Sequence, residues 1–216
     1  MDLDPLSVER SYHESFIESH SRLFVGRELL MNQIRAYCAP SNNEQNKAMV
    51  IVGEPGAGKT SLVSSFALQM KSSPEALRGE CFVLPHFIGA APGSTNIRNT
   101  LARVVQELAA KYELDDPIPQ DYNELVILFR KLLEKAGNNP NGPRLVLILD
   151  ALNQLDDAYH AHTLEWLPEF FPSRIHVVVS TLKGDVYDNF SRRERTELLV
   201  GELTKAEQEE IVRTTL

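Results

Sequence analysis

The octapeptide Gly53-Glu54-Pro55-Gly56-Ala57-Gly58-Lys59-Thr60 constrains this chain more than any other segment. It has the G-x-x-x-x-G-K-[ST] spacing of a phosphate-cradling loop. The glycines let the backbone turn tightly and aim successive N–H groups at phosphate oxygens. The helix that follows presents its positive N-terminal end to the same anion. A chance match in such a chain has odds on the order of 1%, and the context lowers them. A continuous apolar run, Ala48–Val52, precedes the loop, and a helix-like segment, Ser61–Met70, follows it. A glycine-rich turn without a ligand is the weaker alternative.

The flanking segments set the fold class. Residues 48–52, 81–88, 145–149 and 175–179 are apolar runs of strand length, as expected for strands buried on both faces of a parallel sheet. Pro85 predicts that the second run lies at an edge or ends irregularly. Helices are expected over 6–20, with a stripe of Val8, Tyr12 and Phe16, and from Glu28 to about Cys38. Others are expected from Ser94 or Thr95 as cap to about Lys111, from Asp121 as cap to about Ala136, over 161–170, and from Thr204 onward. Thr204 with Glu207 has capping-box spacing. Pro40–Asn46 and Gly137–Pro143 are expected loops, and Arg192-Arg193-Glu194-Arg195 a solvated helix start. Alternating strands and helices predict an α/β, three-layer P-loop NTPase fold with a mostly parallel sheet. An N-terminal helical extension and the start of a C-terminal helical lid flank it.

Within this frame Lys59 is expected to reach the β- and γ-phosphates and Thr60 to ligate Mg²⁺. Asp150, closing the apolar run Leu145–Leu149, is the expected second Mg²⁺ residue, at the strand end where ligands bind in open α/β sheets. No acid stands next to it. Ala151 follows, then Asn153, Gln154, Asp156 and Asp157. An amide can orient water but is a poor base, so Asn153 and Gln154 predict slow turnover. Thr181 or Lys183, after the fourth strand, either senses the γ-phosphate or is an ordinary strand-end residue. His86 is expected to be packed or at the surface.

Composition narrows the functions. The formal charge of −8 over 216 residues argues against nucleic-acid binding by counterion release. Two cysteines without metal-like spacing, and no apolar signal or span, point to the cytoplasm and away from membranes.

Phe24-Val25-Gly26-Arg27-Glu28, the P-loop, and Leu145 to Gln154 occur in the order of signal-transduction (STAND) ATPases of the NACHT/NB-ARC type, which this chain resembles. It is similar to the NACHT-like modules of nephrocystin-3 and telomerase-associated protein 1. There too a helix with Glu-Arg and a later Phe (here Glu9-Arg10 and Phe16) leads into Val-Gly-Arg-Glu. The stretches His86–Gly89, Ser94–Arg98 and Leu203–Glu207 look like that group as well. The resemblance implies that Phe24, Val25, Gly26 and Arg27 lie against adenine. The P-loop motif and the end of the fourth strand add Glu54, Pro55, Gly56, Ala57, Gly58, Lys59, Thr60, Ser61 and Thr181 as expected nucleotide contacts. Glu202 onward would begin a helical lid. ADP would hold a closed form, and exchange for ATP would permit self-association. The chain departs from the family at Asn153 and Gln154, where an acidic pair is usual, and at Ser180–Lys183, where many members have an Arg.

The expected organisation is an N-terminal helix and linker (1–22), a P-loop NTPase core (23–201) and the start of a lid (202–216), cut from a larger protein. The expected function is an ATP/ADP- and Mg²⁺-binding regulatory module, a slow nucleotide-dependent switch partnered by other domains of its parent. The alternative is a nucleotide-binding module without turnover. A nucleic-acid motor and a small-molecule kinase are disfavoured.

Overall fold

The computed structural model describes residues 4–22, 26–40, 45–205, 207–209 and 213. The strands are β1 (Gln45–Lys47), β2 (Met49–Val52), β3 (Cys81–Phe87), β4 (Arg144–Asp150), β5 (Phe170–Pro172), β6 (Ile175–Thr181) and β7 (Thr196–Leu199). The helices are α1 (Pro5–Ser21), α2 (Glu28–Cys38), α3 (Lys59–Lys71), α4 (Pro74–Leu77), α5 (Ile97–Tyr112), α6 (Tyr122–Gly137) and α7 (Asp185–Ser191). Five strands form one sheet in the order β3-β4-β6-β2-β7, with every neighbouring pair parallel. The central strands are buried along their whole length because both faces are covered. One apolar layer joins the sheet to α1, α2 and α3; the other joins it to α5, α6 and α7. This is a three-layer α/β fold.

Register aligns the carboxyl ends that matter. Val52 pairs with Thr181 on one side and Leu199 on the other, and Phe87 pairs with Asp150. The P-loop, Asp150 and Thr181 therefore emerge along one edge of the sheet. β3 is an edge strand, as Pro85 requires.

Several local expectations are corrected. The buried stripe of α1 is His13 and Ile17, whereas Tyr12 is exposed. His13 is inside because its Nδ1 accepts the Phe87 N–H. Asn96, not Ser94 or Thr95, caps α5 through Oδ1 and the Arg98 N–H. Ser94 instead ties the turn leaving β3, accepting from the Gly89 and Ala91 amides. Residues 161–170 form no α-helix: a distorted 3₁₀ segment, Ala158–Thr163, ends early in that stretch. Tyr159, His160 and Leu164 adopt left-handed backbone, and Phe170–Pro172 pairs antiparallel with Gln45–Lys47. That pairing also claims part of the Pro40–Asn46 loop, with Asn46 Nδ2 donating to the Ser173 and Ile175 carbonyls. The Arg192 cluster follows the end of α7, so it is not a helix start. Asp121 caps α6 as expected, and Thr204 and Glu207 exchange their capping bonds. His86 is fully buried.

Candidate nucleotide site

The loop between β2 and α3 uses its glycines for two different reasons. A Cβ on Gly53 would lie 2.4 Å from the Val200 carbonyl oxygen, so this glycine is required by space. Gly56 and Gly58 have open surroundings but φ of 77° and 86°, so they are required by conformation. Lys59 opens α3 and turns back over the loop, its Nζ donating to the Gly53 and Glu54 carbonyls at 2.7 and 2.9 Å. Burial lowers its pKa, opposed by the charges of Asp150 and Glu54. Ser61 follows in the first turn of α3.

Asp150 is 2% exposed at the end of β4. Its Oδ2 accepts from Thr60 Oγ1 at 2.8 Å, which joins the two predicted Mg²⁺ residues directly. Its Oδ1 accepts from Ser180 Oγ. Burial raises the Asp150 pKa, and the Ser180 and Thr60 hydroxyls and the Lys59 charge oppose that rise. Ser180 also accepts the Ala151 N–H at 2.8 Å and so holds Ala151 in a left-handed turn, φ 59°. Sequence reasoning did not single out Ser180. The signal was there: Leu149 pairs with Val179, so the next residues of the two strands, Asp150 and Ser180, are neighbours.

The other predicted residues are distributed around this centre. Asn153 Oδ1 accepts the Leu182 N–H at 3.2 Å and so ties the turn after β4 to the turn after β6. Gln154 is exposed, with Oε1 beside Gly89. Thr181 is fully buried and donates to the Leu182 carbonyl. Lys183 Nζ stands 3.9 Å from Glu54 Oε1.

A cleft of about 480 Å³ lies beside the loop, lined by Arg27, Gly53–Ala57, Leu199–Leu203 and Gln208. Arg27 has left-handed backbone, φ 60°, and donates from Nη2 to the Gly201 carbonyl at 2.8 Å. Glu207 packs on Gly26, its Cγ 3.1 Å from where a Cβ would stand. Gly26, Arg27, Gly201 and Glu207 thus close one end of the cleft. Phe24 and Val25 lie outside the described residues. A larger groove, about 860 Å³, lies between α6 and the β1–β5 pair, and no predicted site residue lines it.

The profile of the AAA ATPase domain matches residues 23–180. NACHT domain- and WD repeat-containing protein 1 of Homo sapiens is 30% identical over 163 residues, covering 74% of this chain and 10% of that protein. Telomerase protein component 1 of Rattus norvegicus is 33% identical over 134 residues, covering 61% of this chain and 5% of that protein. The chain thus spans a small fraction of these relatives' length. The solved structure of the Aeropyrum pernix Orc1 protein in complex with DNA superposes with a TM-score of 0.56 at 16% identity, covering 88% of this chain and 49% of that one. Among the described residues no helix is long and apolar enough to cross a membrane.

Proposed function

The chain belongs to the AAA ATPase domain family, with NACHT-domain proteins among its relatives, and from that premise we propose that it is an ATP/ADP- and Mg²⁺-binding regulatory module. In this reading it acts as a slow nucleotide-dependent switch within a multidomain protein. The observation that carries the reading is the bond between Thr60 Oγ1 and the buried Asp150 carboxylate at the mouth of the P-loop. Hydroxyl and carboxylate oxygens are the hard donors that Mg²⁺ takes, so the residues fit the ion. Thr60 and Asp150 would hold it, and it would neutralise charge on the β- and γ-phosphates. Lys59 would exchange its two carbonyl acceptors for phosphate oxygens. Arg27, Gly26 and the residues from Gly201 would flank the base. The switch reading is supported by the cleft wall itself. Arg27–Gly201 and Gly26–Glu207 tie the start of the expected lid to the base-side turn, so a bound nucleotide would bias how that segment sits.

The test is direct. ADP and ATPγS titrations of the pure chain should show tight binding, with Mg²⁺ dependence for the triphosphate. Lys59→Ala should abolish binding, and Asp150→Ala should remove the Mg²⁺ dependence. Affinity weaker than millimolar for both nucleotides would refute the reading. A second reading, binding without turnover, is favoured by Asn153, whose side-chain oxygen is already engaged by Leu182. Phosphate release that survives Lys59→Ala would be contamination and would leave that reading standing.

A further inference from the structure

We propose that His20, delivered by α1, accepts the proton of the water that attacks the γ-phosphorus; this rests on the nucleotide reading above. The two polar side chains nearest after Asp150 are amides and cannot take a proton from water. Asn153 is tied to Leu182 and is an amide. Gln154 is an amide. Asp156 accepts from Thr95 Oγ1 at 3.0 Å.

The path of α1 brings in a candidate from elsewhere in the sequence. Arg10 and His13 line a crevice with Phe82–Pro85 of β3, and His13 Nδ1 meets the amide of Phe87, the last residue of that strand. The helix therefore advances along β3 toward the sheet edge that carries the P-loop. Seven residues beyond His13, about 10 Å of helix rise, His20 stands past the last residue of β3. A ladder of rings fixes its place. His20 stacks on Phe16 with centroids 4.0 Å apart, and Phe16 packs on Phe87 at 4.9 Å. Phe87 is the register partner of Asp150, and partners on parallel strands point to the same face. That face is also the one covered by α3, which carries Thr60 and against which α1 packs.

The ring's orientation suits a base. His20 Nδ1 lies 2.9 Å from the Phe16 carbonyl oxygen, which can only accept, and 3.0 Å from Ser19 Oγ, whose own proton goes to that same carbonyl, so in this arrangement Nδ1 carries the proton. The neutral ring then presents the lone pair of Nε2. In the step, the water oxygen bonds to the γ-phosphorus while one water proton passes to Nε2. The bond from the γ-phosphorus to the β,γ-bridging oxygen breaks, and its electron pair leaves with ADP. The imidazolium returns its proton to solvent.

Single-turnover hydrolysis and fluorescent-ADP binding by wild type, His20→Ala and His20→Gln test this. Both substitutions should leave ADP affinity unchanged and slow hydrolysis by about 100-fold. Added imidazole should restore the rate of His20→Ala but not that of Lys59→Ala, an effect that a merely structural role would not produce. Independently of activity, a long-range ¹H–¹⁵N spectrum of the neutral ring should show the proton on Nδ1, and ADP with vanadate should shift the Nε2 resonance. A His20→Ala protein hydrolysing at the wild-type rate, a slowed one that imidazole does not rescue, or a wild type that binds Mg·ATP and never hydrolyses it would overturn the proposal and leave the nucleotide reading intact. Failure of the wild type to bind ADP would end both.

Discussion

Asp150→Asn should separate stability from function. The carboxylate is 2% exposed and is met by two hydroxyl donors, from Thr60 and Ser180. Burial raises its pKa above that of the unfolded chain. A group of that kind stabilises the fold below the unfolded pKa, and that stability is lost as pH rises through the folded value. Above that folded value the protein carries a desolvated charge. Replacing a whole buried ion pair with neutral groups of similar volume is often stabilising by about 1–4 kcal/mol, and here the desolvated carboxylate is neutralised while its two hydroxyl partners remain. The amide also loses the attraction to Lys59, which offsets part of that gain. The net expectation is a gain of about 1–2 kcal/mol without ligand, vanishing as pH falls below about 4. Urea unfolding measures it. With Mg²⁺ and ATPγS at about 100 Kd the wild type gains roughly 2.7 kcal/mol that Asp150→Asn forgoes, so the order of stabilities reverses. A ligand-free Asp150→Asn protein less stable than wild type by more than about 1 kcal/mol would refute the reasoning. The two hydroxyl bonds would then outweigh the desolvation.

Three further outcomes follow from particular contacts. Gly53→Ala puts a methyl 2.4 Å from the Val200 carbonyl and strains the Val200 N–H bond to Val52; it should cost about 2–4 kcal/mol in urea unfolding and weaken ADP binding. Gly56→Ala, with open space around it, should cost only the left-handed penalty of about 1–2 kcal/mol. Burial pushes His13 down to about 3, helped by Arg103 and Lys71, and His176 down to about 4, helped by Arg144. The unfolded chain protonates both near 6.5, so stability is full above that pH and falls below it. Each contributes a loss of about 2 kcal/mol between pH 7 and 5, and His176→Phe should flatten the slope of denaturation midpoint against pH. Asn96→Ala should cost about 1 kcal/mol through the lost α5 cap, seen as a lower melting temperature.

Most of the central sheet was legible because its signals are local. A strand buried on both faces is a continuous apolar run, and the P-loop spacing places a helix after the first one. The runs at 48–52, 145–149 and 175–179 fall inside or one residue beyond β2, β4 and β6. What escaped depends on partners distant in sequence. Phe170–Pro172 is a strand only because Gln45–Lys47 lies beside it, and its alternation is too short to stand out from a helical stretch. β7 carries exposed residues on a sheet edge and lacks an apolar run. Ser180 looks like any strand-end hydroxyl until register sets it next to Asp150. The turn before α2 was legible only at Gly26 and Arg27, whose left-handed backbone and bond to Gly201 have no signature in composition.

α1 is the element whose sequence was most misleading, and the reason is electrostatic. Its polar residues suggest a solvated helix, yet Arg10 grips Glu107 of α5 with two bonds of 2.8 and 2.7 Å. Glu107 also faces Arg103 at 3.6 Å, and Arg103, 3% exposed, donates to the Pro85 carbonyl and to His86 Nδ1. Because His86 and His13 each spend the Nδ1 lone pair on a protein donor, their Nε2 atoms carry protons. The trio Glu9, His13 and His86 therefore has metal-like spacing without two free imidazole lone pairs. The cluster works instead as a specific seat for α1. Glu107→Gln would leave Arg10 and Arg103 facing each other with only Glu9, 4.0 Å from Arg103, to offset their charge. Since Arg10 is partly solvated, the loss should be about 2–3 kcal/mol, below the 3–5 kcal/mol typical of fully buried pairs. Hydrogen exchange should locate the loss in α1, with β4 amides unchanged. An equal rise in exchange over α1 and β4 would mean that the helix is part of the cooperative core. In that case its seat could not be loosened without unfolding the site that His20 approaches.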